Sequence, residues 1–152
     1  MSTLAQIKAN AQYVQQQFGP KSGLDNFGYN APSIAYLDGF LTRQNQLVAC
    51  NPQSIAKFTS LIGAFVGEAI IATYGGEWQE GDGAVRLRLA YGDHVHFLNP
   101  FQKVNNRILA GQEHNLESYF SMIREILENP EVPEEPAPPT PPVAKKPWWK
   151  VF

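Results

Sequence analysis

Proline is distributed very unevenly along this chain, and its distribution limits how much of the chain can fold. Eight of the twelve prolines fall between Pro130 and Phe152. Proline has no backbone N–H and disfavours the helical conformation in the residue before it, so a segment this rich in proline does not favour regular helix or sheet. The sequence therefore predicts one compact domain over residues 1–129 and a disordered, proline-rich tail over residues 130–152.

The length and charge of the predicted domain limit the class of protein. A stretch of 129 residues is enough for one hydrophobic core and too short for two. This stretch carries 9 basic and 11 acidic side chains, so it has no broad cationic field that would hold a phosphate backbone. Nucleic-acid binding is therefore not expected.

Three features of the sequence favour a cytoplasmic location. Cys50 is the only cysteine, so an intrachain disulfide is impossible. Residues 1–13 lack the basic stretch followed by an apolar run that marks a signal peptide. The longest nearly apolar segment, Leu61–Ala72, has 12 residues and includes Glu68, whereas a membrane span needs about 20 residues.

Apolar residues recur with helical spacing in five segments of the predicted domain. The predicted helices cover about residues 4–18, 33–48, 52–74, 100–110 and 115–128. The first is expected to end at Gly19-Pro20. Two others follow the pairs Asn51-Pro52 and Asn99-Pro100, in which the asparagine caps the helix and the proline occupies its first position.

The third predicted helix differs from the others because its residues 61–72 are apolar on nearly every side. This pattern is typical of a helix that is buried on most of its surface. Gly63 and Gly67 lie one turn apart on it, so a neighbouring element can approach its backbone closely.

After Gly75-Gly76 the apolar pattern changes to period two, which predicts strands at residues 77–80, 85–91 and 95–98. A three-residue loop before the last strand would pair Tyr91 with Val95. A two-residue loop would pair Tyr91 with His94 and turn histidines toward the apolar side. We prefer the first register, which places His96 on the outer face. The predicted fold class is α+β, a three-stranded antiparallel meander packed against about five helices.

Several short motifs stand along the predicted domain. They are G-x-F-x-G-E at residues 63–68, Y-G-G-x-W at 74–78, P-F-x-K-V at 100–104, part of N-G-x-E at 110–113, and Leu37-Asp38-Gly39-Phe40 upstream. Together they resemble a family of small bacterial domains of unknown function. This chain departs from the family pattern at Ala110, where asparagine is frequent, and at His114-Asn115, where an acidic residue is usual. The resemblance covers about residues 30–122 and implies a fold and a bacterial origin, but no activity.

Glu68 is unusual because it lies in the middle of the apolar third helix. A carboxylate at such a position needs a hydrogen-bonding or cationic partner or else keeps its proton, since burying an unpaired charge is costly. The cations available are Arg86, Arg88, Lys103 and Arg107. Three interpretations remain open: a structural link between the helix and the sheet, one wall of a binding pocket, or a general acid or base with a raised pKa.

Four more residues are candidates for a buried polar cluster or pocket with Glu68, namely Asp38, Trp78, Arg88 and His96. If Asp38 approached Glu68, the two carboxyl groups would push one pKa upward, as acid–base chemistry requires. A solvated position on the second helix is the simpler interpretation of Asp38. Trp78 is expected to anchor the core, or to form an aromatic pocket with Tyr74 and Phe97.

No metal, cofactor or catalytic residue is predicted. His94 and His96 have the spacing of two ligands on one strand face, but a metal site needs a third and usually a fourth ligand, for which the candidates are His114, Asp93 and Glu113. Cys50 has no histidine near it in the sequence, so a structural thiol is expected.

The tail has the composition of a tethered docking peptide. Residues 131–142 have little to bury and enough proline to favour extended polyproline II, which reaches about 3 Å per residue. The tip presents Trp148, Trp149, Lys150 and Phe152, and tryptophan anchors dominate many interfaces. Three acceptors remain open: another protein, the domain itself or a second copy of it, and a membrane interface. Three lysines without a lipid anchor bind a bilayer weakly, so stable membrane insertion is not expected.

The sequence therefore predicts a non-enzymatic protein–protein interaction module, such as an adaptor or an inhibitory, immunity-type bacterial protein, that docks through its C-terminal tip. The alternative is a small-ligand-binding or hydrolytic domain that uses the buried Glu68. Deletion of the tip tests the first hypothesis, and replacement of the Glu68 carboxylate tests the second.

Overall fold

The computed structural model of the chain describes residues 3–45, 51–81, 84–92 and 94–128. Within these ranges the elements are α1 (Thr3–Ser22), α2 (Ala31–Arg43), α3 (Pro52–Tyr74), β1 (Glu77–Gly81), β2 (Ala84–Tyr91), β3 (His94–Leu98), α4 (Pro100–Ala110), a short 3₁₀ turn (Gln112–His114) and α5 (Leu116–Glu128). The strands form one antiparallel sheet in the order β1-β2-β3. The predicted α+β fold with a meander sheet is confirmed, whereas the tail lies outside the described residues.

Asparagine caps fix the start of three helices. Asn30, Asn51 and Asn99 each accept a hydrogen bond from the backbone N–H three residues further on, at 3.0, 2.7 and 3.1 Å. In each case a proline follows within the first two helical positions, where its missing N–H costs no helical hydrogen bond. The Asn30 cap starts α2 two residues before the predicted Ser33.

The predicted end of α1 at Gly19-Pro20 is wrong, because the helix continues to Ser22 with Pro20 inside its last turn. Proline lacks the N–H that would bond to the carbonyl four residues earlier, but only Lys21 and Ser22 follow it in the helix, so its effect is limited to the helix end. The Ser22 hydroxyl donates to the Gly19 carbonyl at 2.8 Å, which satisfies one of the acceptors at this end.

Helix α3 is the centre of the core, and its two glycines lie where other elements cross it. A Cβ atom added to Gly63 would lie 2.5 Å from the Phe101 ring on α4, and one added to Gly67 would lie 2.1 Å from the Trp78 ring on β1. Both distances are far below van der Waals contact. The predicted close approach to this helix is therefore confirmed.

The register of the hairpin between β2 and β3 differs from the predicted one. Tyr91 pairs with His94 and Leu89 with His96, so the connection has two residues, not three. Gly92 has a φ of 61°, the left-handed conformation that a tight two-residue hairpin requires. His96 consequently lies on the inner face and is only 5% exposed. The turn geometry outweighs the preference for an apolar residue at that position.

Helix α3 also has the length and apolar character of a membrane span. It contains 23 residues, and half of its most apolar window is buried inside the domain. A core helix of a water-soluble domain has the same two properties, so length and composition alone do not indicate that α3 crosses a bilayer.

Candidate functional site

Glu68 is half-buried in the middle of α3. Its Oε2 atom accepts a hydrogen bond of 2.8 Å from the indole Nε1 of Trp78, on β1. The Trp78 side chain is held in place because its ring lies against Gly67 and 5.6 Å from the centroid of the Phe101 ring. The structure thus gives this carboxylate a hydrogen-bonding partner on the sheet, as the interpretation of Glu68 as a structural link requires, and the partner is an indole N–H rather than one of the suggested cations.

Tyr29, in the loop before α2, lies near the same carboxylate. Its ring packs against Phe65 with 5.2 Å between the centroids. Phe65 and Glu68 are three residues apart on α3 and therefore neighbours on the helix surface. Burial, and then the negative charge of Glu68, raise the pKa of the Tyr29 hydroxyl. Glu68 therefore lies between a hydrogen-bonded indole and a phenol within electrostatic reach.

The hydrogen bond between Glu68 and Trp78 predicts how substitutions at position 68 affect stability. Glu68→Ala leaves a nearly buried indole N–H without its acceptor, and we expect it to lower the free energy of unfolding by about 1–3 kcal/mol. Glu68→Gln keeps an oxygen acceptor, so the expected loss is below about 1 kcal/mol. Urea unfolding measures both, and equal stability of Glu68→Ala and the unmodified chain would show that the bond does not fasten α3 to β1.

Asp38 and Arg107 form a buried ion pair between α2 and α4. Their exposed fractions are 4% and 1%. Arg107 Nε donates to Asp38 Oδ1 at 2.7 Å, and Arg107 Nη2 donates to the Asp38 carbonyl at 3.1 Å. The guanidinium also donates to the Thr42 hydroxyl. One arginine side chain therefore binds both the carboxylate and the backbone of α2.

The same carboxylate binds the start of α5. Asn115 Nδ2 donates to Asp38 Oδ2 at 2.8 Å, and the Leu116 backbone N–H donates to Asp38 Oδ1 at 2.9 Å. Asn115 also accepts a hydrogen bond of 2.9 Å from the Ser118 backbone N–H, as a helix cap does. A negative charge at a helix N-terminus is favourable, so Asp38 joins α2, α4 and α5 at one point.

The interpretation of Asp38 as a solvated helix residue is wrong. It also follows that Asp38 does not act as the carboxylate partner suggested for Glu68, because both of its oxygens are bound by groups on α4 and α5. Arg107, one of the cations suggested for Glu68, is the partner of Asp38. The sequence contained one signal of this pair: Arg107 lies three residues after the inward-facing Val104 on α4.

The aromatic pocket suggested for Trp78, Tyr74 and Phe97 is not formed. The Tyr74 ring packs against Phe120 at 5.4 Å, and its hydroxyl donates to the Phe120 carbonyl at 2.9 Å. Phe97 lies on the outer face of the sheet and is 38% exposed, with the Arg86 guanidinium 3.9 Å from its ring centroid. Trp78 alone of the three lies beside Glu68, and its role is that of a core anchor.

Arg88 and His96 lie on opposite faces of the sheet. Arg88 is on the outer face, where it contacts Glu77 at 3.7 Å, and His96 is on the inner face. His94 is the first residue of β3, not part of the turn, and is exposed. Among the residues that the structure describes, no three histidine, cysteine or acidic side chains are grouped as a metal site.

A surface groove lies apart from these residues, between α1 and α3. Its walls include Gln6, Asn10, Tyr13, Lys57 and Leu61. None of the candidate site residues predicted from the sequence lines it. The candidate tip residues Trp148, Trp149, Lys150 and Phe152 lie outside the described part of the chain, as does Cys50.

Comparison of the chain with family models, curated proteins and solved structures finds no match. The resemblance to a bacterial domain family therefore stays a prediction from the motifs. Function has to be argued from the residues themselves.

Proposed function

We propose that this protein is a non-enzymatic protein–protein interaction module, of the adaptor or inhibitory, immunity-type kind, acting in the bacterial cytoplasm. It docks to another protein through Trp148, Trp149, Lys150 and Phe152. The observation that carries the proposal is the composition of the tail: two tryptophans and a phenylalanine follow a proline-rich spacer that has little else to bury. Tryptophan is among the residues that contribute most to binding energy at interfaces.

The domain supports this proposal through the way it uses its buried polar groups. Asp38 is engaged by Arg107, Asn115 and the N-terminus of α5. The Glu68 carboxylate holds Trp78 against α3 through one of its oxygens. Both carboxylates therefore have a structural role, and Asp38, whose two oxygens are bound by internal donors, is poorly placed to exchange protons with a substrate. The domain is therefore better suited to carry a docking segment than to perform a reaction at Asp38.

The spacer gives the tip enough reach to act away from the domain. In polyproline II its 12 residues, 131–142, extend about 37 Å at about 3.1 Å per residue. A compact domain of this size is roughly 36 Å across on the basis of its expected radius of gyration. A tip at that distance binds a partner even where the surfaces of the domain and of the partner are not complementary.

The experiment compares the full chain with the double substitution Trp148→Ala/Trp149→Ala. Affinity purification followed by crosslinking identifies a partner, and its affinity is then measured with purified components. We expect the double variant to bind at least about tenfold more weakly, because the proposal makes the two tryptophans the main anchors of the interface. Tyr13→Ala removes an exposed aromatic side chain from the domain and is the matched control, for which binding should not change.

Thermal unfolding separates docking to a partner from packing on the domain itself. If the tip binds elsewhere, deletion of residues 143–152 leaves the melting temperature unchanged. A lower melting temperature of the deletion variant would mean that the tip packs on its own domain and would overturn the proposal.

A second candidate function is binding of a small ligand at Glu68, or hydrolysis there. The observation that favours it is the contrast with Asp38, because Glu68 is half-buried and its contact in the structure is a neutral indole donor. A turnover or a bound ligand that Glu68→Gln abolishes without loss of stability would support this function.

A further inference from the structure

Strand β3 is one edge of the sheet, and its backbone is open on the side away from β2. Within the described residues the sheet has the order β1-β2-β3, so no further strand pairs with β3 there. Tyr91 and His94 flank the two-residue connection and pair with each other. Hydrogen-bonded pairs alternate along an antiparallel ladder, so every second residue from His94 onward bonds to β2. The N–H and C=O groups of Val95 and Phe97 therefore point away from β2.

The side chains of the same two residues make this edge apolar. Val95 is 42% and Phe97 38% exposed. Proteins commonly protect a sheet edge with charged side chains or with proline. Strand β3, with the sequence His-Val-His-Phe-Leu, contains no proline, lysine, arginine or acidic residue. The opposite edge does have this protection, because Glu77 and Glu80 are exposed on β1.

The charges nearest to the edge lie on β2. Arg88, which is opposite Phe97, contacts Glu77 at 3.7 Å. Arg86 is exposed, and its guanidinium lies 3.9 Å from the centroid of the Phe97 ring. Repulsion between exposed charges is weak and is screened by salt. A strand that approaches β3 therefore meets open backbone groups and apolar side chains, and no acidic or basic side chain of β3 itself.

A second copy of β3 is complementary to this edge. Two antiparallel β3 strands overlap along their whole length when Val95 lies opposite Phe97 of the second copy, and Phe97 opposite its Val95. The open N–H and C=O groups of each residue then bond to those of the residue opposite. Each opposite pair joins an aromatic with a β-branched side chain, which is a favourable cross-strand combination. The contact is identical seen from either copy, as two-fold symmetry requires.

We propose that β3 is a self-association edge, at which two copies of the chain join their sheets through antiparallel β3 strands. The inference goes beyond docking through the tip and does not depend on it. Each copy contributes one short strand, so the contact belongs with small, transient interfaces and not with stable ones, which bury about 1,200–2,000 Å². The chain should therefore be a monomer in dilute solution and a dimer in concentrated solution.

Sedimentation equilibrium of the full chain over a wide range of concentrations measures the association, and amide hydrogen exchange followed by NMR locates it. The amides of Val95 and Phe97 should exchange more slowly as the concentration rises, because they are hydrogen-bonded only in the dimer. The amides of His94 and His96 bond to β2 in both states, so their exchange should change much less. Added salt should not weaken the dimer, because no opposite charges hold it together.

Val95→Pro tests the backbone contact, because it removes an N–H that points away from β2. Proline is tolerated in an edge strand at such a position, so the bonds between β2 and β3 remain. We expect dimerisation to weaken at least about tenfold, since symmetry removes a hydrogen bond from each copy. Tyr91→Ala is the matched control: it removes a side chain that is 49% exposed on β2, away from the edge, and should leave the dimer unchanged.

If Val95→Pro does not fold, Val95→Lys replaces it. Its exposed position accommodates lysine, which adds a charge at the edge and removes the β-branched member of both cross-strand pairs. This variant should dimerise severalfold more weakly than the unmodified chain.

Deletion of residues 143–152 distinguishes a second copy from the chain's own tip as the occupant of the edge. If a second copy binds there, the deletion leaves the association unchanged. If the Val95 and Phe97 amides are protected at every concentration and the deletion exposes them, or if the deletion abolishes the association, the tip is the occupant and the proposal is overturned. It is also overturned if the full chain stays monomeric, if the Val95 variant that folds associates as tightly as the unmodified chain, or if the chain dimerises without protection of these two amides.

Discussion

Replacing Arg107 with alanine is expected to lower the free energy of unfolding by about 3–5 kcal/mol, because the Asp38 carboxylate would remain buried without its cation. The exposed fraction of Asp38 is 4%, so water cannot replace the guanidinium without opening the domain. Asp38→Ala should have an effect of similar size, because it also leaves Asn115 and the N-terminus of α5 without their acceptor. Denaturant unfolding curves measure both losses.

A double-mutant cycle separates the ion pair from the general cost of truncation. The combined change Asp38→Ala/Arg107→Ala should cost clearly less than the sum of the single changes, since removing both charges leaves neither one unpaired. Arg88→Ala is the control, because its contact with Glu77 is on the exposed outer face of the sheet. For this exposed pair we expect a loss of no more than about 1 kcal/mol.

A loss below about 1 kcal/mol for Arg107→Ala would contradict the central role of the pair, given how costly an unpaired buried charge is. Strict additivity of the two single changes would show instead that the two side chains act independently. Either result would mean that the junction of α2, α4 and α5 is held mainly by its apolar contacts.

Local sequence signals predicted the elements of this fold well, because each signal acts over a few residues. The caps at Asn51 and Asn99 depend on a side chain and an amide three positions apart, so their partners can be identified without the tertiary structure. The close approach at Gly63 and Gly67 was predictable for a similar reason, since two missing side chains one turn apart leave a gap that a neighbour fills. The sequence did not show that Phe101 and Trp78 are the residues that fill this gap.

Two predictions of local structure, the hairpin register and the end of α1, were wrong because a local sequence preference competed with the geometry of the backbone. The predicted hairpin register was chosen because it places the histidines away from the apolar face of the sheet. In the structure Gly92 has a left-handed φ, the connection has two residues, and His96 therefore lies on the inner face. In α1 the prediction that the helix ends at Gly19-Pro20 was wrong, because a proline so close to the end affects only the last turn and lets the helix continue for two residues. In both cases the backbone geometry decided the outcome.

The polar site was the least predictable part, because it depends on residues far apart in the sequence. Asp38 and Arg107 are separated by 69 positions, and Glu68 and Trp78 by 10. The sequence predicted that Glu68 needs a hydrogen-bonding or cationic partner, but it did not identify the Trp78 indole as that partner. The pairing of Asp38 with Arg107 follows from how the helices pack, and that of Glu68 with Trp78 from how β1 packs on α3, and no local pattern contains either.

Gly67→Ala is expected to be the most damaging single-methyl change in the domain's core helix. The added Cβ would lie 2.1 Å from the Trp78 ring, so the indole must move, and its hydrogen bond to Glu68 moves with it. Overpacking of a core costs about 1–3 kcal/mol, and alanine recovers at most about 1 kcal/mol through its better helix propensity. We therefore expect a net loss of stability, accompanied by a shift of the Trp78 indole N–H signal in the NMR spectrum.

Gly39→Ala provides the matched control, because it introduces the same methyl group into a helix, α2, where the nearest atom is the flexible end of the Arg43 side chain at 3.0 Å. That side chain moves at little cost, so helix propensity dominates and the expected change is zero to slightly stabilising. The double change Gly67→Ala/Trp78→Phe should recover part of the loss at position 67, because the smaller ring leaves space for the methyl group. If Gly67→Ala were as stable as Gly39→Ala, Trp78 would have an alternative place in the core, and its hydrogen bond to Glu68 would not be what fixes β1 on α3.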